Sequence, residues 1–289
     1  MLKGSIVALI TPFKDDNLDE DCYRKLINYH LKNGTNGVVP GGTTGESPTL
    51  SHNEHRKIIE IAVKECKGKI PIISGTGSNS TDEAVDLSRF AEKTGSDALL
   101  IVTPYYNKPT QEGLYQHYKK INDSVGIPII IYNIPSRSVI DMTVDTMSKL
   151  YELKNIVGVK DATGDLNRVD KQLKSMGKDF IQLTGNDDNA LEFNKRGGVG
   201  AIGVTANVAA KLSSEFQKAC QENIVKATEI DKKLQPLHSS LFIESNPSPV
   251  KYAASLLKMC SPEVRLPLVQ IREETKKKIS EALKVAKLL

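Results

Sequence analysis

One lysine is placed where its amine could act as a buried nucleophile. Lys160 directly follows a run of apolar residues at positions 156–159. If this run is an inner strand, the amine of Lys160 emerges at its carboxyl end, inside the molecule. Burial favours the neutral amine over the ammonium ion, and a neutral amine attacks a ketone to give a Schiff base. The alternative is a structural lysine that reaches solvent or pairs with Asp161.

Two other polar side chains follow the preceding apolar run, at residues 128–133. Tyr132 stands near the end of that run, and a phenol beside a Schiff-base lysine can transfer protons. Arg137 follows the turn residue Pro135, and its guanidinium can hold a substrate carboxylate through two hydrogen bonds. The sequence alone leaves simpler roles open, since Tyr132 could cap a backbone carbonyl and Arg137 could be a surface arginine.

Residues 41–47 form a glycine-rich segment, Gly-Gly-Thr-Thr-Gly-Glu-Ser, that follows another apolar run. Its free backbone N–H groups and hydroxyls suit a small carboxylate or phosphate. It is not a nucleotide-binding P-loop, because no Gly-Lys-Ser/Thr follows. The alternative is an ordinary flexible turn between a strand and a helix.

The elements that must position these residues repeat along residues 1–222. Apolar runs lie at residues 6–10, 37–40, 71–74, 98–103, 128–133, 156–160, 180–184 and 200–204. Helical patterns lie between or after them, at residues 19–33, 52–66, 81–94, 110–124, 143–153, 166–176, 189–196 and 207–221. Continuously apolar runs are typical of parallel strands that are buried on both faces.

Eight β–α units of this length predict an α/β fold, a (β/α)8 TIM barrel over residues 1–222, with the active site at the carboxyl ends of the strands. An open doubly wound sheet is the alternative. Residues 223–289 are predicted to be a C-terminal appendage of three helices, at residues 224–240, 249–259 and 266–289. Two capping boxes are predicted at helix starts, Ser51 with Glu54 and Ser80 with Glu83.

Two motifs imitate other functions. Residues 75–80, with Asp97 further on, resemble a dinucleotide-binding fingerprint, but Ser80 replaces the third glycine and the unit is third in the barrel. His52 and His55 are three residues apart rather than the four of a zinc-binding helix. We therefore expect neither a nucleotide cofactor nor a metal ion.

Composition excludes several classes of protein. Lys and Arg number 39 against 35 Asp and Glu, so the net charge of +4 does not indicate nucleic-acid binding, and there is no Trp for base stacking. No apolar run approaches the ~18 residues of a membrane span, and the first run is short for a signal peptide. The isolated cysteines, with no C-x-x-C, suit a reducing compartment, so we expect a cytoplasmic protein.

Several motifs together resemble the dihydrodipicolinate synthase family, within the pyruvate-dependent class I aldolases that also include N-acetylneuraminate lyases. The likeness covers essentially the whole chain. It is carried by Ala-Leu-Ile-Thr-Pro-Phe at residues 8–13, Gly-Thr-Thr-Gly-Glu-Ser at 42–47, Pro-Tyr-Tyr-Asn-Lys-Pro at 104–109, Tyr-Asn-Ile-Pro-Ser-Arg at 132–137 and Gly-Val-Lys-Asp at 158–161. Together these motifs are specific, although each alone is weak.

The resemblance implies a role for each site residue. Lys160 would form a Schiff base with pyruvate, without any external cofactor, and Tyr132 would transfer protons through Thr43 to Tyr106 of a neighbouring subunit. Thr44 would bind the pyruvate carboxylate through its backbone, and Arg137 would hold the carboxylate of L-aspartate 4-semialdehyde. Gly185 and Ile202 would contact substrate through their carbonyl groups. The family also suggests a homotetramer, a dimer of dimers.

Other functions remain open at this stage. Sialic-acid lyases resemble Gly-Ser-Thr-Gly-Glu in the loop, where this chain has Thr43 and Thr44, and they lack an arginine matching Arg137. Both differences favour the synthase over another pyruvate-dependent lyase or aldolase. A non-catalytic ligand-binding barrel is the third hypothesis, and the set of Lys160, Tyr132 and Thr43 argues against it.

The resemblance also implies feedback inhibition by L-lysine. The positions that match the family's effector site are Ser47, Leu50, His52, His55, Asn79, Glu83 and Tyr105. Pro48 departs from the small residue that is common there and could alter affinity. Asn186 stands where an acidic residue is frequent, and we attach no functional consequence to it.

Overall fold

The computed structural model describes residues 2–289. Ten strands are present in this part of the chain: β1 (Gly4–Ala8), β2 (Phe13–Lys14), β3 (Asn17–Leu18), β4 (Gly37–Val39), β5 (Ile73–Gly75), β6 (Ala98–Val102), β7 (Ile129–Asn133), β8 (Ile156–Asp161), β9 (Ile181–Thr184) and β10 (Gly200–Gly203). Eight of them form one parallel sheet in the order β4-β1-β10-β9-β8-β7-β6-β5. A parallel bridge between Val38 and Ile72 brings the two ends of the sheet together. The TIM barrel is confirmed, and the open doubly wound sheet is wrong.

The helices follow the predicted alternation. They are α1 (Glu20–Lys32), α2 (His52–Cys66), α3 (Thr81–Thr94), α4 (Gln111–Asn122), α5 (Pro135–Ser138), α6 (Val144–Tyr151), α7 (Asn167–Met176), α8 (Ala190–Lys195), α9 (Ala210–Glu222), α10 (Ile224–Ser240), α11 (Ser248–Leu256) and α12 (Glu273–Val285). Each predicted apolar run overlaps a barrel strand. The short helix α5 and the antiparallel pair of β2 and β3 were not expected. The division after residue 222 stays a prediction.

Two details of the helix predictions are wrong. The last helix begins at Glu273 rather than at residue 266, because Pro267 has a fixed φ and no N–H, and the segment before Glu273 runs without helix. Ser80 makes no side-chain cap at the start of α3. The Glu83 carboxylate accepts hydrogen bonds from Ser78 and His52 instead. At Ser51 and Glu54 the capping box is confirmed.

The barrel strands are largely apolar because they separate two cores. An inner core fills the barrel with side chains such as Ile6, Leu100, Ile130 and Ile202. A larger outer core packs the strands against the surrounding helices. Within residues 2–289, no helix is long and apolar enough to cross a bilayer.

Candidate active site

Lys160 and Tyr132 face each other at the carboxyl end of the barrel. They occupy matching positions on the adjacent strands β8 and β7. The Lys160 side chain lies within the protein, with only 5% of the residue exposed, and its Nζ is 4.1 Å from the centroid of the Tyr132 ring. Lys160 is therefore not a lysine that extends to solvent, as one alternative held.

The Asp161 carboxylate forms hydrogen bonds with other side chains on the outer face of β8. Its carboxylate accepts hydrogen bonds from Arg168 Nε at 2.9 Å and Gln172 Nε2 at 3.0 Å, both on α7, and from the Thr163 hydroxyl at 2.6 Å. Successive side chains of a strand point to opposite faces, so Asp161 points away from the barrel interior that holds Lys160. Over residues 2–289 the ion pairs include none made by Lys160, and the alternative of a Lys160–Asp161 pair is wrong.

Gly185 makes room for the Lys160 side chain. A Cβ added at Gly185 would lie 3.0 Å from Lys160 Cε and 2.7 Å from the Cβ of Ala162. The Gly185 N–H donates to the Asp161 carbonyl at 2.7 Å, which fixes the chain just after β9 against β8. Ile202, on β10, is fully buried in the inner core. A substrate atom on Lys160 Nζ would therefore lie among β7, β8 and the end of β9.

The glycine-rich segment forms a tight turn over the barrel mouth. Thr43–Gly45 is a short 3-10 helix, and Thr44 is buried. Thr43 and Tyr132 line the same small cavity, together with glycines that include Gly41 and Gly75. Gly41 has a φ of 70°, and a Cβ there would lie 2.4 Å from His55 Nε2. Only glycine lets the loop approach this closely.

Arg137 stands at the rim of the mouth, on α5. It is exposed, and it lines a cavity of about 210 Å³ with Thr43, Ser47 and Tyr105 among others. Its Nη2 donates to the Asn246 carbonyl at 3.4 Å. The guanidinium is thus free to meet an anion entering the cavity from solvent.

Tyr106 is not buried by its own chain. The residue is 89% exposed and has a φ of 73°, in the left-handed region that non-glycine residues rarely adopt. The structure does not bring it into the cavity that contains Thr43 and Tyr132. Its ring is exposed, and the role across a subunit boundary that the resemblance implies for it stays a prediction.

The predicted effector residues lie on neighbouring segments, but they differ in accessibility. His52 is exposed, with its Nε2 2.7 Å from Glu83 Oε1, and the Asn79 side chain donates to the Tyr105 carbonyl at 3.2 Å. The hydrogen bond from Ser78 lowers the pKa of Glu83. Leu50 and His55 are buried.

The His55 side chain lies within the barrel rim rather than at an open surface. Its Nε2 donates to the Gly75 carbonyl at 2.7 Å, and burial lowers its pKa, so the ring is neutral. Within residues 2–289 no cluster of three or more His, Cys, Asp or Glu side chains could hold a metal ion.

Sequence reasoning missed the residues that hold the loop from the C-terminal side. The Asn246 side chain donates to Thr44 Oγ1 at 2.9 Å, although the two are far apart in sequence. Glu46 and Lys251 form a buried ion pair in the same region. The segment Asn-Pro-Ser-Pro at residues 246–249, followed by a lysine in an apolar stretch, was the available signal.

A TIM barrel with a buried lysine and tyrosine at its mouth has the architecture of a lyase of the class I aldolase type, which acts through a Schiff base. The chain belongs to the dihydrodipicolinate synthetase family, whose model matches residues 1–286.

The similar proteins match this chain over essentially its full length. The chain is 68% identical to 4-hydroxy-tetrahydrodipicolinate synthase from Pelagibacter ubique, with all of both chains covered. It is 43% identical, with a TM-score of 0.98 and all of both chains covered, to the crystal structure of the chloride-inhibited dihydrodipicolinate synthase from Acinetobacter baumannii complexed with pyruvate. It is 33% identical, with a TM-score of 0.96 and 99% of both chains covered, to the enzyme from Cyanidioschyzon merolae with lysine bound.

Proposed function

We propose that this chain catalyses the condensation of pyruvate with L-aspartate 4-semialdehyde to 4-hydroxy-tetrahydrodipicolinate, the committed step of the diaminopimelate route to lysine. The observation that carries the proposal is the buried Lys160, which pairs with no carboxylate within residues 2–289 and faces the Tyr132 ring. The relatives named for this activity, at up to 68% identity over the whole chain, support the same reaction.

The chemistry begins at Lys160. Its amine attacks C2 of pyruvate, and loss of water from the resulting carbinolamine gives the Schiff base. Removal of a proton from the pyruvate methyl group gives an enamine, whose carbon attacks the aldehyde of the second substrate. The amino group of that substrate then attacks C2 and releases the Lys160 amine as the ring closes.

Tyr132 moves the protons that these steps require. Its ring lies against Lys160, and it lines one cavity with Thr43, so a proton can pass from phenol to hydroxyl. Tyr106 of a second subunit completes the relay, which requires an oligomer. The exposure of Tyr106 supports this arrangement, and we propose a dimer of dimers.

Each substrate carboxylate has its own subsite. The pyruvate carboxylate binds the backbone of Thr44, whose side chain is held by the hydrogen bond that its hydroxyl oxygen accepts from Asn246. The carboxylate of L-aspartate 4-semialdehyde binds Arg137 at the rim of the mouth. Gly185 and Ile202 contact the bound substrate through their carbonyl groups.

We further propose that L-lysine inhibits this enzyme by binding near His52 and Glu83. The crystal structure of the Cyanidioschyzon merolae enzyme with lysine bound supports this regulation. The Glu83 carboxylate suits an amine, and Ser47 and Tyr105 line the same cavity as Arg137. An effector held by Ser47 and Tyr105 would therefore contact the wall of the substrate entrance. We also propose a cytoplasmic location, where isolated thiols stay reduced.

The activity is tested with purified protein and a choice of substrates. The proposal predicts consumption of pyruvate and L-aspartate 4-semialdehyde, loss of this activity in Lys160→Met, and inhibition by millimolar L-lysine. Cleavage of sialic acid without condensation would instead identify another lyase of the superfamily. Pyruvate binding with no turnover of either substrate would identify a binding protein.

A further inference from the structure

A buried ion pair outside the proposed catalytic set joins the active-site loop to the C-terminal helices. Lys251, on α11, is 0% exposed, and the Glu46 side chain is 1% exposed. Lys251 Nζ lies 2.7 Å from Glu46 Oε1. Glu46 directly follows the Thr43–Gly45 turn and has a φ of 56°. The proposed reaction gives neither residue a chemical step.

Both oxygens of the Glu46 carboxylate are bound. Oε2 accepts the backbone N–H of Arg265 at 3.0 Å, on the segment that precedes α12. The guanidinium of Arg265 pairs with Glu54 at 2.6 Å, at the start of α2. The Phe13 ring lies 4.2 Å from Lys251 Nζ and 4.2 Å from Arg265 Cζ. The C-terminal region therefore holds the loop through a charged network whose Glu46–Lys251 pair is buried.

Stability alone does not account for this pair. Removing two charges from water costs several kcal/mol per ion, and apolar residues of similar volume are often equally stable. Glu46 also holds a left-handed backbone conformation that is costly for a non-glycine residue. Burial lowers the pKa of Lys251, and the Glu46 carboxylate opposes that effect. What an apolar pair cannot supply is a directional contact that fixes one position of the loop.

We propose that Glu46 and Lys251 are positioning residues that hold Thr43 and Thr44 where they meet pyruvate. This inference rests on the proposed function. Lys251 acts through Glu46, and Glu46 acts through the turn that it ends. Asn246, five residues before Lys251, makes a second link from the same region to Thr44. The C-terminal helices thereby contribute to pyruvate binding without touching the substrate.

The test compares Lys251→Met, Glu46→Gln and the double variant with two controls. Lys276→Met removes a lysine from a surface ion pair in the same region. Leu283→Ala weakens the packing of α12, a helix that carries no residue of the network around Glu46. In the variants of the pair we expect the KM for pyruvate to rise about tenfold, because a shift of the binding groups by a fraction of an ångström should cost less than the roughly 100-fold of a full 1 Å misplacement. The KM for the semialdehyde should change less than about twofold, because Arg137 lies on α5, outside the turn that Glu46 ends.

The double variant separates positioning from stability. It leaves no unpaired buried charge, so its melting temperature should recover toward that of the wild type while the KM for pyruvate stays raised. A double variant or Glu46→Gln with the pyruvate KM of Leu283→Ala would overturn the proposal. If Lys251→Met does not fold, the double variant and Glu46→Gln still test the positioning role.

A second readout keeps the two proposals distinguishable. The rate at which borohydride traps pyruvate on the enzyme reports the pyruvate site without the second substrate. If the wild type traps pyruvate but does not condense it with the semialdehyde, the proposed function fails, and the trapping rates of the variants still decide the positioning role. If the wild type traps no pyruvate, both proposals are overturned.

Discussion

The glycine at position 185 gives the sharpest test of the Lys160 site. Gly185→Ala adds one methyl group, whose carbon would lie 3.0 Å from Lys160 Cε and 2.7 Å from the Ala162 Cβ. Carbon atoms of this kind pack best at about 3.5–4.0 Å. Because Ala162 lies on the chain that follows β8, the side chain of Lys160 is the part most able to move. Relief of the contact therefore requires a shift of roughly 0.5–1 Å at Cε.

A shift of that size should greatly reduce Schiff-base formation. A misplacement of about 1 Å costs on the order of 100-fold in rate, and overpacking costs about 1–3 kcal/mol of stability. The assay is the rate of borohydride trapping with pyruvate, together with the melting temperature. Gly126→Ala is the matched control, since its added Cβ would meet only the end of the Glu92 side chain, at 3.2 Å. A trapping rate within about threefold of the control would refute the packing argument.

Four further predictions follow from other contacts. Tyr132→Phe keeps the ring against Lys160 but removes the hydroxyl, so kcat should fall about 10²–10⁴-fold with an unchanged melting temperature. Arg168→Met leaves the buried Asp161 without its cation and should cost about 3–5 kcal/mol in urea unfolding. Burial lowers the pKa of His117 from 6.5 to about 4, so the stability that it contributes is present above pH 6.5 and is lost as the pH falls toward 4. The free energy of unfolding should therefore fall less steeply over this window in His117→Gln. Glu83→Gln should weaken inhibition by L-lysine at least about tenfold while turnover without lysine is kept.

Each of these has a contrary result. A Tyr132→Phe enzyme with normal kcat would remove the phenol from the proton relay, and a normally stable Arg168→Met would mean that Asp161 finds other partners. Equal pH slopes for wild type and His117→Gln would show that His117 is not neutral in the folded protein. Unchanged lysine inhibition in Glu83→Gln would place the effector elsewhere.

The barrel and the central pair of the site were predictable because local pattern specifies them. A continuously apolar run indicates a parallel strand that is buried on both faces. The carboxyl ends of adjacent strands in a barrel lie at the same end of the barrel. Lys160 and Tyr132 therefore had to emerge together, as their register shows. The roles assigned to Tyr106 and Arg137 depended on the resemblance to a family, since position alone left open whether Arg137 holds a carboxylate or is a surface residue.

Contacts between distant segments were not predictable. Lys251 and Glu46 are 205 positions apart, and no periodic pattern of residues along the sequence indicates that they pair. The capping box expected at Ser80 failed for the same reason, because His52 from another helix competes for the Glu83 carboxylate. The helical pattern from residue 266 onward predicts a start that is too early, because Pro267 has a fixed φ and no N–H, and the chain is not helical before Glu273.

The most direct test of the account is the site of the pyruvate adduct. Pyruvate and borohydride are added to the full-length enzyme, and the digested protein is examined by mass spectrometry. The account predicts one reduced adduct, on the peptide that contains Lys160, and its loss in Lys160→Met. An adduct on another lysine, or none at saturating pyruvate, would contradict it.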